Sequence, residues 1–66
     1  MGIAKVIEIT SESSKSFEDA IRQGIGDAAK TVRHINGAWI KEQKVVVNDG
    51  KIEGFRVDMK VTFVVD

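Results

Sequence analysis

Hydrophobic and polar positions alternate along the first ten residues. Ile3, Lys5, Ile7 and Ile9 fall on one side, and Ala4, Val6 and Glu8 on the other. A period of two is the signature of a strand. A polar run follows, Thr10 to Ser16, rich in serine. It reads as a loop that supplies a helix N-cap, because a serine hydroxyl accepts from the free N–H groups of a first turn. Ser16 with Asp19 makes a variant capping box, with aspartate in place of the usual glutamate or glutamine. From Ser16 to Arg33 the period becomes helical. Phe17, Ala20, Ile21, Ile25, Ala28, Ala29 and Val32 form one stripe, with charged residues mostly opposite. Glu18 and Arg22 are spaced for an i,i+4 ion pair. Gly24 and Gly26 each cost a helix about 1 kcal/mol relative to alanine, so at least one is expected to permit close packing. Gly24-Ile25-Gly26 is no dinucleotide fingerprint: it lies within the helix and lacks the third glycine.

A second strand is predicted over Ala38 to Val47, then a turn at Asn48-Asp49-Gly50. A third strand is predicted from Glu53 to Val65, with the cleanest alternation in the chain. Phe55, Val57, Met59, Val61, Phe63 and Val65 face one way; Arg56, Asp58, Lys60, Thr62 and Val64 face the other. Gly54 is a candidate bulge. The fold class is therefore α+β, in the order β-α-β-β. A right-handed crossover with the hairpin return inserted gives an antiparallel three-stranded sheet of order 1-3-2, packed on one helix. The helix covers one sheet face. The other is expected to carry Lys5, Ile7, Ile9, Trp39, Lys41, Val45, Val47, Arg56 and Val64. Apolar residues rimmed by charge mark an interface or a ligand site.

Composition narrows the function. The 66 residues are 42% hydrophobic and 30% charged, with ten basic and ten acidic side chains, so one globular domain spanning 1–66 is expected. A neutral balance lacks the basic surplus of non-specific nucleic-acid binding, so no nucleic-acid partner is expected. No apolar run approaches the roughly 20 residues of a membrane span, and the start shows no signal-peptide core. No membrane partner and a cytoplasmic location are the corresponding expectations. The absence of cysteine removes disulfides, thiolate metal sites and thiol nucleophiles. A domain of about 60 residues buries only about 60% of its unfolded surface and normally needs a further staple. A homo-oligomer is expected on that ground.

Candidate chemistry is sparse. Trp39, the single tryptophan, is either a stacking platform for a flat ligand or an anchor of an oligomer interface. Arg56, on the same outward face, is either a donor to a phosphate, carboxylate or carbonyl, or the partner of Glu42, Asp58 or a neighbouring subunit. Lys30-Thr31-Val32-Arg33-His34 is expected to end the helix, where cations complement its dipole. With Lys5, the same residues form a candidate anion cradle. His34 has no serine or cysteine partner in a readable motif, so the chain is not expected to be an enzyme. Glu12, Asp27, Asp49 and Glu53 are scattered, and none has calcium-loop spacing, so the metal question stays open.

The ordered set of segments resembles the dodecins. It includes Lys5-Val6-Ile7-Glu8-Ile9, Thr10-Ser11-Glu12-Ser13, Phe17-Glu18-Asp19-Ala20-Ile21, Lys30-Thr31-Val32-Arg33-His34-Ile35, Lys41-Glu42 and Phe55-Arg56-Val57-Asp58-Met59-Lys60-Val61-Thr62-Phe63. The resemblance implies a hollow homododecamer that binds and stores a small ligand, flavin (riboflavin or FMN) being the leading one. It implies ligand-binding positions at Trp39, Arg56, Gly37 and Lys44. It also implies an anion or coenzyme A-type site at Lys5, Lys30, Thr31, Arg33 and His34. Three positions depart from the flavin-binding pattern. Aligned without gaps on Lys41-Glu42, the family tryptophan falls on Gly37, and Trp39 lies two residues on, about 7 Å along the strand. Arg56 stands where flavin dodecins carry glutamine, and Val64 where they carry arginine. A guanidinium only donates, whereas an amide both donates and accepts. Phe55-Arg56 and Ala38-Trp39-Ile40-Lys41-Glu42-Gln43 are more similar to a branch described as calcium-binding. A non-flavin structural or ion-binding assembly is thus the alternative.

Overall fold

The computed structural model describes residues 2–65; the expected domain limits Met1 and Asp66 lie outside them. The elements are β1 (Ile3–Ser13), α1 (Phe17–Ala28), β2 (Ile35–Asn48) and β3 (Lys51–Val65). They form the antiparallel sheet of order β1-β3-β2 that the hairpin return requires.

β3 is the spine. Val57, Met59 and Val61 alternate onto the helix side and are fully buried with Ala20. Phe17, Ile21 and Ile25 bring the helix stripe onto them. Gly24 is what lets the helix approach: a Cβ there would stand 2.6 Å from Met59 Cε and 2.9 Å from Ser11 Cβ. The helix starts as its serine predicts, Ser16 Oγ accepting from the Asp19 N–H at 2.9 Å. Asp19 does not return the capping-box bond. It accepts instead from Ser13 Oγ and Gln23 Nε2, both at 2.6 Å. These bonds hold its carboxyl below the usual range, the Ser13 hydroxyl contributing most. Glu18 and Arg22 pair at 2.8 Å, as their spacing predicts. The β2–β3 hairpin closes at Asp49-Gly50, whose φ values of 53° and 74° are the positive pair of a type I′ turn.

Four expectations are corrected. The stretch Thr10 to Ser13 is strand, paired with Asp58 to Phe55, rather than loop. A run of polar residues hides its alternation: Ser11 and Ser13 turn to the helix, Thr10 and Glu12 to solvent. The helix ends at Ala28, so Lys30-Thr31-Val32-Arg33-His34 lies beyond its last turn and caps no dipole. The Lys30, Thr31 and Val32 amides instead close a turn on the Asp27 and Ala28 carbonyls. β-branched Thr31 and Val32 favour leaving the helix, and His34 then adopts a left-handed φ of 64° to swing the chain into β2.

The third correction concerns the faces. Lys5, Ile7 and Ile9 pair with Phe63, Val61 and Met59, so they lie on the helix side, and Val45 joins them opposite Phe55. Trp39, opposite Lys60, and Arg56, opposite Glu12 and Lys44, do face outward. Ala38 and Ile40 turn to the helix side, and both are exposed. Fourth, a register shift between Val46 and Val47 puts the bulge beside Gly54, at Glu53.

The two helix glycines give opposite expected outcomes. Gly24→Ala overpacks Met59 and Ser11 and destabilises by about 1–3 kcal/mol. Gly26, with nothing within 4 Å of its Cβ position, gains up to about 1 kcal/mol on becoming alanine. Urea unfolding of both variants checks the contrast.

Candidate functional site

The outward sheet face is built in rows set by strand register. Glu8, Lys60 and Trp39 form one row, Thr10, Asp58 and Glu42 the next, and Glu12, Arg56 and Lys44 the third. A bulge between Ile40 and Glu42 lets Lys41 reach over β3, where its Nζ lies 3.2 Å from Glu8 Oε2. This bond holds Glu8 below its ordinary value and Lys41 above its own. Asp58 is displaced the other way. Burial and then the neighbouring Glu8 raise it.

In the third row Arg56 donates from Nε and Nη2 to Glu12 Oε1, at 2.9 and 2.7 Å. Gly54 leaves the room, since a Cβ there would stand 3.2 Å from Glu12 Oε2. Glu12 is the partner that sequence reasoning missed. Glu42 and Asp58 were the intramolecular candidates, but reading Thr10 to Ser16 as loop takes Glu12 off the sheet. The extra strand pairs restore it. The pair is exposed on both sides and contributes little net stability; its effect is to fix the guanidinium plane.

An open cleft of about 370 Å³ lies along this face, lined by Thr10, Glu42, Gln43, Lys44, Arg56 and Asp58. It joins two of the candidate ligand residues, Arg56 and Lys44, and leaves out the other two. Gly37 and Trp39 pair with Thr62 and Lys60, farther along β3. Trp39, 63% exposed, is four β3 positions from Arg56, or about 13 Å. Within one chain they do not form a single pocket.

A second cleft, of about 380 Å³, lies at the other end and is lined by Thr31, Val32, Arg33, His34, Phe63, Val64 and Val65. Thr31, Arg33 and His34 of the candidate anion cradle meet there. Lys30 is paired with Asp27 at 3.2 Å instead, and Lys5 stands beside Phe63 on β1 without lining the cleft. Among the described residues no three His, Cys, Asp or Glu side chains converge as metal ligands. No helix among them is long and apolar enough to cross a membrane.

The 1-3-2 sheet with its single helix defines a small α+β module. The comparisons give it a family. The family model described as Dodecin matches residues 3–66. The chain is 32% identical to a dodecin from Streptomyces davaonensis, with a TM-score of 0.93 over 98% of this chain and 96% of that one. It is also 32% identical to a calcium-chelating immunodominant antigen, calcium dodecin, from Mycobacterium tuberculosis, whose structure is described with a novel calcium-binding site. There the TM-score is 0.84, over 97% of this chain and 91% of that one. A dodecin from Streptomyces coelicolor, at 20% identity and a TM-score of 0.93 over 98% and 93% of the two chains, shares the fold. No curated protein matches the chain. The chain belongs to the dodecin family.

The carboxylates of the outward face have opposed pH signatures. Glu8, lowered in the fold, adds stability that is present above its ordinary 4.5 and is lost as pH falls through the folded value. Asp58, raised from 3.8, removes stability as pH rises through its folded value. Asp58→Asn should therefore match the parent below pH 3.8 and become more stable than it at neutral pH. Lys41→Met should lose stability at neutral pH and converge on the parent in acid. Urea unfolding across a pH series reads both; a pH-independent difference for Asp58→Asn contradicts the assignment.

Proposed function

We propose that the chain is the subunit of a non-enzymatic homododecameric shell that binds and stores a small ligand in the cytoplasm, flavin (riboflavin or FMN) being the leading candidate. The observation that carries this reading is Trp39. A lone indole, 63% exposed, stands on the outward face of an edge strand among charged neighbours. An apolar ring so placed contributes stability only when something flat or apolar covers it. Its 13 Å separation from Arg56 within one chain, about four strand residues, means that a ligand using both draws them from different copies. The exposed apolar residues Ile40, Val45, Val47 and Ile52 supply apolar area for the contacts between copies.

The calcium reading is favoured by a separate observation. A relative at 32% identity is a calcium-chelating dodecin, and this chain carries Arg56 in place of the glutamine of flavin-binding dodecins. Because no metal-ligand cluster converges within the described residues, a calcium site here would gather single carboxylates from several copies around a symmetry axis.

Native mass spectrometry of freshly purified protein separates the readings. A twelve-subunit species carrying flavin-sized masses is the expected result. A twelve-subunit species bearing only calcium moves the function to the second reading, and a smaller species removes the shell. Trp39→Ala should keep the assembly and lose the bound mass. Dissociation of that variant would make Trp39 an interface anchor.

A further inference from the structure

Asn36 is followed by Gly37, and the two sit where β2 begins to pair with β3. Ile35 pairs with Phe63 and Gly37 with Thr62, which leaves Asn36 as the extra residue of a β-bulge. Asn36 and Gly37 are both exposed. Thr62 Oγ1 donates to Asn36 Oδ1 at 2.8 Å and lies 3.1 Å from the Gly37 carbonyl oxygen. One hydroxyl thus ties the Asn36 side chain to the peptide that follows it. These features suit a reaction between the two residues. A side-chain amide carbon is an electrophile for the next backbone nitrogen, and ring closure needs the two to meet. Glycine has no Cβ to keep them apart. A bulge frees the backbone from the extended geometry of a paired strand, which holds them separate. A donor on Oδ1 stabilises the negative charge that attack would place there. Asp49-Gly50, the other pair of this kind, offers a carboxylate, a poorer electrophile than an amide.

We propose that Asn36-Gly37 is a self-modification site, at which the Gly37 nitrogen attacks Asn36 Cγ while the Thr62 hydroxyl holds Oδ1. The bond from Gly37 N to Cγ forms and the Cγ–Nδ2 bond breaks. Nδ2 leaves as ammonia, taking the proton that Gly37 gives up. Water then opens the cyclic imide at either carbonyl, giving aspartate or isoaspartate. Water is the only co-reactant, and nothing is oxidised or reduced. Each event adds one negative charge to a subunit whose formal net charge is zero. Isoaspartate also adds one main-chain carbon between positions 36 and 37. That change falls on the strand that carries Trp39, so converted subunits present the indole on an altered strand.

Peptide mapping by mass spectrometry of the folded protein, held at mildly alkaline pH, tests this. Residue 36 should gain about one mass unit, and labelling by an isoaspartyl methyltransferase should report the isoaspartate. Gly37→Ala should slow the conversion by at least about tenfold, since its Cβ would also press on Thr62 Oγ1 at 3.2 Å. Thr62→Val should slow it by about tenfold, the effect of one hydrogen bond to the developing charge. Thr62→Ser keeps the hydroxyl and should keep the parent rate. Thr62 lies outside the buried core, and circular dichroism checks the fold of each variant. No mass gain at residue 36 in the folded protein overturns the site, whatever the urea-unfolded chain does. A Thr62→Val rate equal to or above the parent's overturns it as well.

Discussion

A twelve-residue helix rises only about 18 Å, whereas fifteen residues of strand run to about 50 Å. That mismatch governs the rest of this molecule, whose extents are 51 × 19 × 14 Å. One end of the sheet is covered by α1 and holds the whole buried core, on Val57, Met59 and Val61. The remaining hairpin arm has no cover. Val47 and Ile52, paired across it, are 57% and 58% exposed. A chain this small cannot lengthen its helix without losing the hairpin, and it has no cysteine to staple the arm. Domains of this size commonly bury such surface against a second copy.

The same geometry decides what the outward face can do. With no second layer over it, every side chain there is presented at strand spacing. Function is set by which residues fall in one row and which fall in different rows. Arg56 and Lys44 share a row and a cleft. Trp39 is two rows away, beside Lys60. Trp39 and the Arg56–Lys44 pair therefore occupy separate places on the outward face of one subunit.

Much of the scaffold was legible in the sequence because each signal was local. Asp49-Gly50 needs only two residues with positive φ; Ser16 needs only the amide three residues on; β3 states its two faces by plain alternation. What was not legible depended on partners far along the chain. The Thr10 to Ser13 stretch looks like loop because its inward residues are serines, and only pairing with β3 makes it strand. Without Glu12 on the sheet, the sequence leaves only Glu42 and Asp58 as partners for Arg56 within the chain. The face of β1 is not legible either, because Ile3, Ile7 and Ile9 share theirs with Lys5, and nothing in a single strand says which side the helix takes. Ala28, Ala29 and Val32 continue an apolar stripe past the point where the backbone leaves the helix.

Membership of the dodecin family settles the scaffold more firmly than the ligand, since function resides in a site carried by a fold. At the position of Arg56 an amide would read a ring edge with one donor and one acceptor. The guanidinium reads only acceptors, and here one side of it is already committed to Glu12. Gly54 makes that commitment possible by leaving room for the Glu12 carboxylate. Glu12, Gly54 and Arg56 thus act as one unit spread over two strands. Exchanging Arg56 alone would strand a carboxylate against Gly54, and filling Gly54 would crowd the carboxylate that aims Arg56.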